Sequence, residues 1–208
     1  MNSLSRLKNS LANIQKRIDD TAEFYPTLDY SFHDAETLED AVSTRPRVLS
    51  GGPQVVREGN QYYSYGINLN HNKLHGPLET LPKFVREIFI NPDALSVIDL
   101  SCNQFAEVPI AIKQFISLTH FYFHKNLIVD IREIRKLSTL KQLKFLTLNG
   151  NPIEDDIPYL RSYVLCTLPG LRNFNRTTIS RSDLKISIIW KTTNKNLLSK
   201  TLKIPTIN

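Results

Sequence analysis

Two histidines, His120 and His124, are four residues apart, and imidazole is a common ligand of metal ions. The surrounding pattern predicts a strand, where about 3.3 Å per residue separates the two positions by about 13 Å. The two rings cannot share an ion at that distance. The sequence therefore predicts no metal site.

Cys102 is the other candidate for chemistry, because register places His71 level with it on one side and Lys125 on the other. A thiol–imidazole pair is conceivable there. Against it, these positions lie at the turn of an open face, with no cleft to exclude water and no evident group to orient the imidazole. The chain also lacks a Gly-rich phosphate loop. A surface thiol is favoured, and we predict neither catalysis nor a cofactor.

These residues are positioned by an internal repeat, the eleven-residue leucine-rich pattern LxxLxLxxNxL. Three complete copies are present: Leu95, Ile98, Leu100, Asn103, Phe105; Leu118, Phe121, Phe123, Asn126, Ile128; and Leu143, Leu146, Leu148, Asn151, Ile153. Upstream, Ile67, Leu69, Asn72 and Leu74 fill the last four positions of a fourth copy, with Ser64 in place of its first Leu. Three copies in register are a specific signal for a solenoid.

The spacing has a physical cause in strand geometry. Side chains alternate with period two, so Ile98, Phe121 and Leu146 point into the core from neighbouring short strands. The Asn of each copy sits where the chain turns, and its amide can satisfy backbone groups that the turn leaves unpaired. We therefore interpret Asn72, Asn103, Asn126 and Asn151 as a structural ladder.

The remaining apolar positions predict a layer of helical segments on the convex side and a cap at the C-terminal end of the repeats. Ile131, Ile134 and Leu137 recur at helical spacing, and Leu81 and Ile88 belong to a similar segment. The predicted fold is α/β, a leucine-rich-repeat solenoid of about four repeats plus a C-terminal cap, with extended flanks at both ends. The predicted divisions are an amphipathic helix in 1–20, an irregular segment in 21–60, the repeat domain with its cap in 61–176, and a basic extension in 177–208. Ile186, Ile188, Ile189 and Trp190 are expected to pack back onto the cap.

The register also predicts which side chains form the concave face, the surface that such solenoids leave open for partners. The candidate binding residues are Tyr65, Asn68, Asn70, His71, Asp99, Ser101, His120, Tyr122, His124, Lys125, Phe145 and Asn149. Val97, Cys102, Lys144 and Thr147 belong to the same face. Its exposed aromatic residues are of the type that interfaces favour. The face would seat one helix or extended segment.

Both flanks are further candidates for partner binding. Leu4, Leu7, Leu11, Ile14 and Ile18 alternate at steps of three and four, which predicts a narrow apolar stripe on a helix. This helix could pair with a partner helix, which we prefer, or fold back over the solenoid. At the other end, positive charge is concentrated at Lys191, Lys195, Lys200 and Lys203.

Charge and composition narrow the class of partner. Residues 177–208 contain 6 Lys/Arg and 1 Asp/Glu, so most of the chain's net charge of +6 lies in this segment. Such a segment favours an acidic partner such as tubulin, nucleic acid or an acidic helix. A solvated tail without a specific partner is the alternative. Only 2 cysteines, without paired spacing, predict an intracellular protein with free thiols, and we expect it in the cytoplasm. No apolar run approaches the roughly 20 residues of a membrane span.

Several segments resemble one family beyond the generic repeat. They are Leu28-Asp29-Tyr30-Ser31-Phe32, Thr44-Arg45-Pro46, Asn91-Pro92, Ile98-Asp99-Leu100-Ser101, Val164-Leu165-Cys166-Thr167-Leu168-Pro169 and Trp190-Lys191. Together they resemble leucine-rich-repeat-containing protein 51, a family of small proteins of ciliated organisms, from about residue 27 to residue 191. The resemblance implies a fixed component of the cilium or flagellum, in the axonemal cytoskeleton, within a large hetero-complex.

The resulting hypothesis is a non-catalytic adaptor that binds other axonemal or microtubule-associated proteins, tubulin among them. We expect no membrane partner and no nucleic acid. One alternative is a nuclear RNA-processing subunit similar to the spliceosomal A-prime protein, which shares this type of cap. Another is a phosphatase regulatory subunit, a class that usually has more repeats. The last alternative is an enzyme.

Overall fold

The computed structural model describes residues 27–47 and 55–194. The predicted N-terminal stripe (Leu4, Leu7, Leu11, Ile14, Ile18) and Lys195, Lys200 and Lys203 lie outside the described residues. Among the described residues, no helix has both the length and the apolar character needed to cross a bilayer.

One seven-stranded sheet runs through the molecule. Its strands, in their order across the sheet, are β1 (Thr27–Asp29), β4 (Gly66–Asn68), β5 (Val97–Asp99), β6 (His120–Tyr122), β7 (Phe145–Thr147), β8 (Asn173–Phe174) and β9 (Thr177–Thr178). All neighbours are parallel except β8 and β9. A separate antiparallel hairpin pairs β2 (Val56–Glu58) with β3 (Gln61–Tyr63).

The core lies behind this sheet, where the repeat pattern places it. Ile67, Ile98, Phe121 and Leu146 are level with one another in the register and are buried. Their neighbours two residues on, Leu69, Leu100, Phe123 and Leu148, are buried as well. Since no single strand of three residues could bury these side chains alone, the stacked copies supply the core. The predicted leucine-rich-repeat fold is confirmed.

The asparagine ladder joins each repeat to the one before it. The Nδ2 of Asn103 donates to the carbonyl of Leu100 in its own turn (3.1 Å) and to that of Leu69 in the preceding repeat (3.0 Å). Its Oδ1 accepts from the amide of Leu74 in that preceding repeat (3.0 Å). Asn126 and Asn151 make the same three types of contact one and two repeats later. These asparagines are structural, as predicted.

The residue before each ladder asparagine adopts the left-handed backbone conformation. His71, Cys102 and Lys125 have φ of 52°, 55° and 54°, and Gly150 has φ of 70°. This turn aims the next side chain, the asparagine, into the molecule. Three of the four positions accept an ordinary L side chain there despite its cost, which the surrounding hydrogen bonds offset.

The convex layer is made of short helices. The described residues contain α1 (Leu38–Ala41), α2 (Leu81–Ile88) and 3₁₀ helices at Pro92–Ala94, Ile110–Gln114 and Ile131–Thr139. Pro82 is the second residue of α2, where a proline costs no intrahelical hydrogen bond. The predicted helical spacing of Ile131, Ile134 and Leu137 corresponds to buried residues of the third 3₁₀ helix. These apolar stripes cover the back of the strands.

The N-terminal boundary differs from the predicted one. Residues 21–60 were expected to be irregular, yet Thr27–Asp29 forms the first strand of the sheet, with Leu28 level with Ile67. Leu28 and Tyr30 occupy the two inward positions of a further repeat. His33 stands where the ladder asparagine would be, and its Nδ1 lies 2.7 Å from the carbonyl oxygen of Ala41. The solenoid therefore begins well before residue 61.

The C-terminal boundary differs too. After α3 (Pro152–Asp156) and α4 (Leu160–Thr167), the predicted extension 177–208 contains β9 and a helix, α5 (Arg181–Thr193), that packs on α4. Ser180 and Asp183 close a capping box at its start. Trp190 packs on the cap as expected, but Ile186, Ile188 and Ile189 do not, since each is exposed. The expectation for these three isoleucines is wrong, because α5 presents Ser187 and Trp190 to the cap instead.

The ladder yields a prediction for stability. Asn103→Asp keeps the size of the side chain but replaces an NH2 group, which lies within hydrogen-bond distance of three backbone carbonyl oxygens, by a carboxylate oxygen that faces them. We expect the free energy of unfolding to fall by about 2–4 kcal/mol. Urea titration followed by circular dichroism measures it. Asn91→Asp, at an exposed position, is the control and should change stability by less than about 0.5 kcal/mol. Equal losses in both variants would contradict the role given to the ladder.

Candidate protein-interaction surface

The concave face is built from the outward side chains of the parallel strands, arranged in rows by the register. Val97, His120 and Phe145 are level in one row, and Asn68, Asp99, Tyr122 and Thr147 in the next. A third row follows at Asn70, Ser101, His124 and Asn149, just before the turns. The sheet has six parallel strands, β1 and β4 to β8. At about 4.8 Å between neighbouring strands, they give a face about 24 Å across.

The first row of side chains is packed together and is largely inaccessible to a partner. The ring of His120 stacks on that of Phe145, with 4.1 Å between ring centroids and 4° between the planes. The Nδ1 of His120 lies 2.8 Å from the hydroxyl oxygen of Thr119. His120 is only 1% exposed, and this burial lowers its pKa from 6.5 to about 4. His120 is thus a packing residue, and its prediction as an accessible binding residue is wrong.

The acidic centre of the face is held by a fixed hydrogen-bond network. Asp99 Oδ1 accepts from the backbone amide (2.9 Å) and the hydroxyl (2.6 Å) of Ser101, and Asp99 Oδ2 accepts from Nδ2 of Asn70 (3.0 Å). Ser101 is 1% exposed, so its side chain is used within this network and its prediction as an accessible residue is also wrong. Asp29 repeats the arrangement two strands away, on β1, with Ser31 and Asn68 as donors.

Tyr122 lies at the middle of the second row and is half-buried. Burial raises the pKa of its hydroxyl; the charge of Asp99 adds to this shift and that of Arg176 opposes it. The neighbouring His124 places Nδ1 3.0 Å from the hydroxyl oxygen of Thr147, and burial lowers its pKa. At neutral pH the centre of the face therefore presents a neutral phenol and a neutral imidazole between an acidic and a basic side chain.

Phe32, which is not among the predicted binding residues, extends the face toward the N-terminus. It is 62% exposed, stacks on His71 with 4.3 Å between centroids, and has the guanidinium of Arg47 5.4 Å from its ring. The alternation of Leu28 and Tyr30 was the available signal for the strand that places it. An exposed aromatic of this kind is typical of binding surfaces.

Charge is distributed unevenly along the face. Asp29 and Asp99 lie toward its N-terminal half, whereas Lys125, Lys144, Arg172 and Arg176 belong to the strands and turns of its C-terminal half. Of the predicted residues, ten lie together with exposed or half-buried side chains: Tyr65, Asn68, Asn70, His71, Asp99, Tyr122, His124, Lys125, Phe145 and Asn149. Their placement on one surface agrees with the register; their binding stays a prediction.

The contacts of His71 bear on the thiol–imidazole pair considered above. Its ring stacks on Phe32 of the preceding repeat, on the side opposite to the repeat of Cys102, and its Nδ1 lies 3.2 Å from Oδ1 of Asn70. Within residues 27–47 and 55–194, no three His, Cys, Asp or Glu side chains are grouped to hold a metal ion. What the arrangement offers chemically is hydrogen bonding, aromatic contact and charge, which are the means of protein recognition.

Comparison with known proteins identifies the family. The chain is 33% identical over 169 residues to the leucine-rich repeat-containing protein 51 of Rattus norvegicus, covering 81% of this chain and 86% of that protein. The protein of the same name from Bos taurus is 34% identical over 171 residues, with the same coverage. This chain belongs to the leucine-rich repeat-containing protein 51 family. No general protein-family model matches it.

Solved structures share the fold at greater distance. A chain from the crystal structure of the Drosophila melanogaster SNF/U2A′ complex aligns over 83% of this member of the leucine-rich repeat-containing protein 51 family and 84% of its own length. The TM-score is 0.54 and the sequence identity 15%. This likeness supports the repeat architecture alone. It gives no information on which side chains of the concave face bind a partner.

The buried His120 yields a prediction on pH. Because its pKa is about 4 in the folded chain and ordinarily 6.5, the unfolded chain takes up the proton first as the pH falls. The wild-type protein should therefore lose about 1–3 kcal/mol of stability between pH 6.5 and pH 4 relative to His120→Asn, which cannot titrate there.

Urea titrations of both proteins at pH 7.5, 5.5 and 4.5 measure this difference. His75→Asn, at an exposed histidine, is the control and should keep the wild-type pH dependence. If the free energy of unfolding changed with pH equally in wild type and His120→Asn, the imidazole of His120 would take up its proton as readily in the folded chain as in the unfolded one, which would contradict the prediction.

Proposed function

We propose that this chain is a non-catalytic adaptor whose concave face binds one helix or extended segment of another protein, as a fixed component of the ciliary and flagellar axoneme. The observation that carries the proposal is the group of half-buried polar and aromatic side chains around Tyr122, in which hydrogen bonds fix the side chains of Asp99 and Asn70. Such residues bind without first having to be ordered, which lowers the cost of association.

The dimensions of the face suit a segment rather than a large globular surface. A width of about 24 Å and strands of three residues leave room for one helix, about 10 Å in diameter, or one extended chain. The charges on the face determine where the partner segment should carry positive and negative groups. A partner segment would donate hydrogen bonds or positive charge to Asp99 and place acidic groups near Lys125 and Arg176.

The axonemal part of the proposal depends on the family resemblance. The relatives are named only for their repeats. A net charge of +6 supports the proposal, since microtubule surfaces are acidic and a basic protein is attracted to them at moderate ionic strength. We therefore propose axonemal or microtubule-associated proteins, including tubulin, as partners within a large assembly.

The nuclear alternative, an RNA-processing subunit similar to the spliceosomal A-prime protein, is compatible with the fold shared with the SNF/U2A′ complex. At 15% identity this likeness extends to the architecture only. A nuclear subunit would locate to the nucleus, whereas an axonemal component would stay with the axoneme after the membrane is removed. Location therefore separates the two.

The test is to express the tagged full-length chain in a flagellated cell and extract the cells with non-ionic detergent. We expect the protein to remain with the axoneme. The double variant Tyr122→Ala/His124→Ala should be released at least several-fold more, because it removes the aromatic centre of the face while leaving the strands and the ladder intact. Ile116→Ala, on an exposed residue of the convex side, is the matched control and should be retained.

Two results would contradict the proposal. A nuclear signal in intact cells would exclude the axonemal role and favour the alternative. Retention of the double variant at the level of wild type, with an unchanged circular dichroism spectrum, would show that the concave face does not hold the protein in the axoneme.

A further inference from the structure

Helix α5 exposes its apolar side chains to solvent. Ile186, Ile188 and Ile189 are 58%, 62% and 65% exposed, and Leu184 is 38% exposed. The side that faces the cap instead contains Ser187, which is buried, and Trp190, which is half-buried. An amphipathic helix on a protein surface ordinarily has the opposite arrangement. On a helical projection they form two neighbouring strips, Leu184 with Ile188 and Ile189 with Ile186, and Lys185 lies between the strips. Exposed apolar strips of this kind mark interaction sites.

Contacts at both ends of α5 fix its rotation about its own axis. Near the start, Arg161 donates to both carboxylate oxygens of Asp183, each at 3.0 Å, and the capping box holds the first turn. Further along, the ring of Trp190 stacks on Tyr159, with 5.1 Å between centroids, and meets Tyr163 edge-on at 6.2 Å. The helix cannot roll to bury its isoleucines without breaking these contacts. The exposed face is therefore a defined surface of the folded chain.

The charges around this face have one sign. Arg181, Lys185 and Lys191 are exposed, and Asp183, the single acidic residue of the helix, is paired with Arg161. Opposite charges beside an apolar seam are a common way for two helices to select each other. We propose that α5 is a second docking surface, separate from the concave face, for an amphipathic helix of a partner protein whose apolar stripe is flanked by acidic residues.

The charges also argue against the occupants that this chain could supply. The N-terminal apolar stripe has Arg6, Lys8, Lys16 and Arg17 and no acidic residue within positions 1–18, so it would repel α5. A second copy of α5 would repel it for the same reason. Four apolar residues are also far fewer than the roughly 20–30 residues a side of a stable interface between globular proteins.

A membrane surface fits less well than a helix. On a helical projection Lys185 falls between Ile188 and Ile189, so a charge interrupts the apolar face rather than lying opposite it. Inserting this face among lipid chains would bury that charge. Against a partner helix that packs on one of the two strips, the same lysine lies at the edge of the contact and can pair with a flanking carboxylate.

The test uses the full-length chain and a synthetic 21-residue peptide that has leucine at heptad positions a and d and glutamate at e and g, which keep the free peptide monomeric. Fluorescence anisotropy of the labelled peptide measures binding. We expect saturable binding with a dissociation constant below about 100 μM. Ile188→Gln/Ile189→Gln should weaken it at least about tenfold without changing the protein's charge. Ile116→Gln, at a solvent-exposed isoleucine outside α5, is the matched control and should bind like wild type.

Two further peptides separate the apolar face from nonspecific attraction to basic residues. A scrambled peptide of the same composition, with its leucines spread around the helix, should bind at least about tenfold more weakly, as should the peptide with lysine at e and g. Equal binding of the scrambled peptide, or no saturable binding of the amphipathic one, would overturn the proposal. Binding to anionic phosphatidylserine vesicles that is lost in Ile188→Gln/Ile189→Gln would assign the surface to a membrane instead. Dimerisation of the full chain that is lost in this variant would assign it to a second copy.

Discussion

The architecture depends on one side-chain amide in each of the four repeats that contain a ladder asparagine. In Asn103, Asn126 and Asn151 this amide satisfies a carbonyl in its own turn and two backbone groups of the preceding repeat. A strand of three residues cannot form a stable sheet by its own ladder hydrogen bonds, and a tight turn leaves buried backbone groups unpaired. The asparagine resolves both problems at once. It therefore sets the spacing of the strands and, with it, the position of every side chain on the concave face.

A fixed register has consequences on both sides of the sheet. Inward, it aligns Ile98, Phe121 and Leu146 in a single buried row. Outward, it brings Asp99 within reach of Asn70 on the neighbouring repeat, and it stacks His120 on Phe145. The same alignment thus makes one outward row a polar network and another a packed layer. A concave face of a solenoid is not uniformly available to partners, because outward residues that match across strands pack on one another.

This distinction explains which parts of the molecule could be predicted from sequence. The core and the ladder follow from the repeat, because each position is decided by strand periodicity within one copy. The burial of His120 depends on which residue lies beside it in the next strand, and that information lies 25 residues away at Phe145. The strand at Thr27–Asp29 was missed for another reason. His33 replaces the ladder asparagine, so the one residue that identifies a repeat is absent, although Leu28 and Tyr30 fill its inward positions.

Helix α5 could not be predicted correctly because its packing reverses the usual rule of apolar residues inside. Burying two isoleucines would stabilise the fold by roughly 3–6 kcal/mol, which favours a rotation that brings them to the cap. That rotation would separate Arg161 from Asp183 and Trp190 from Tyr159 and Tyr163. The bidentate ion pair acts at the first turn and the aromatic cluster near the last turn of one rigid helix, so both would be lost together. Specific polar and aromatic contacts therefore decide the orientation of α5, whereas apolar periodicity decides that of every strand in the solenoid.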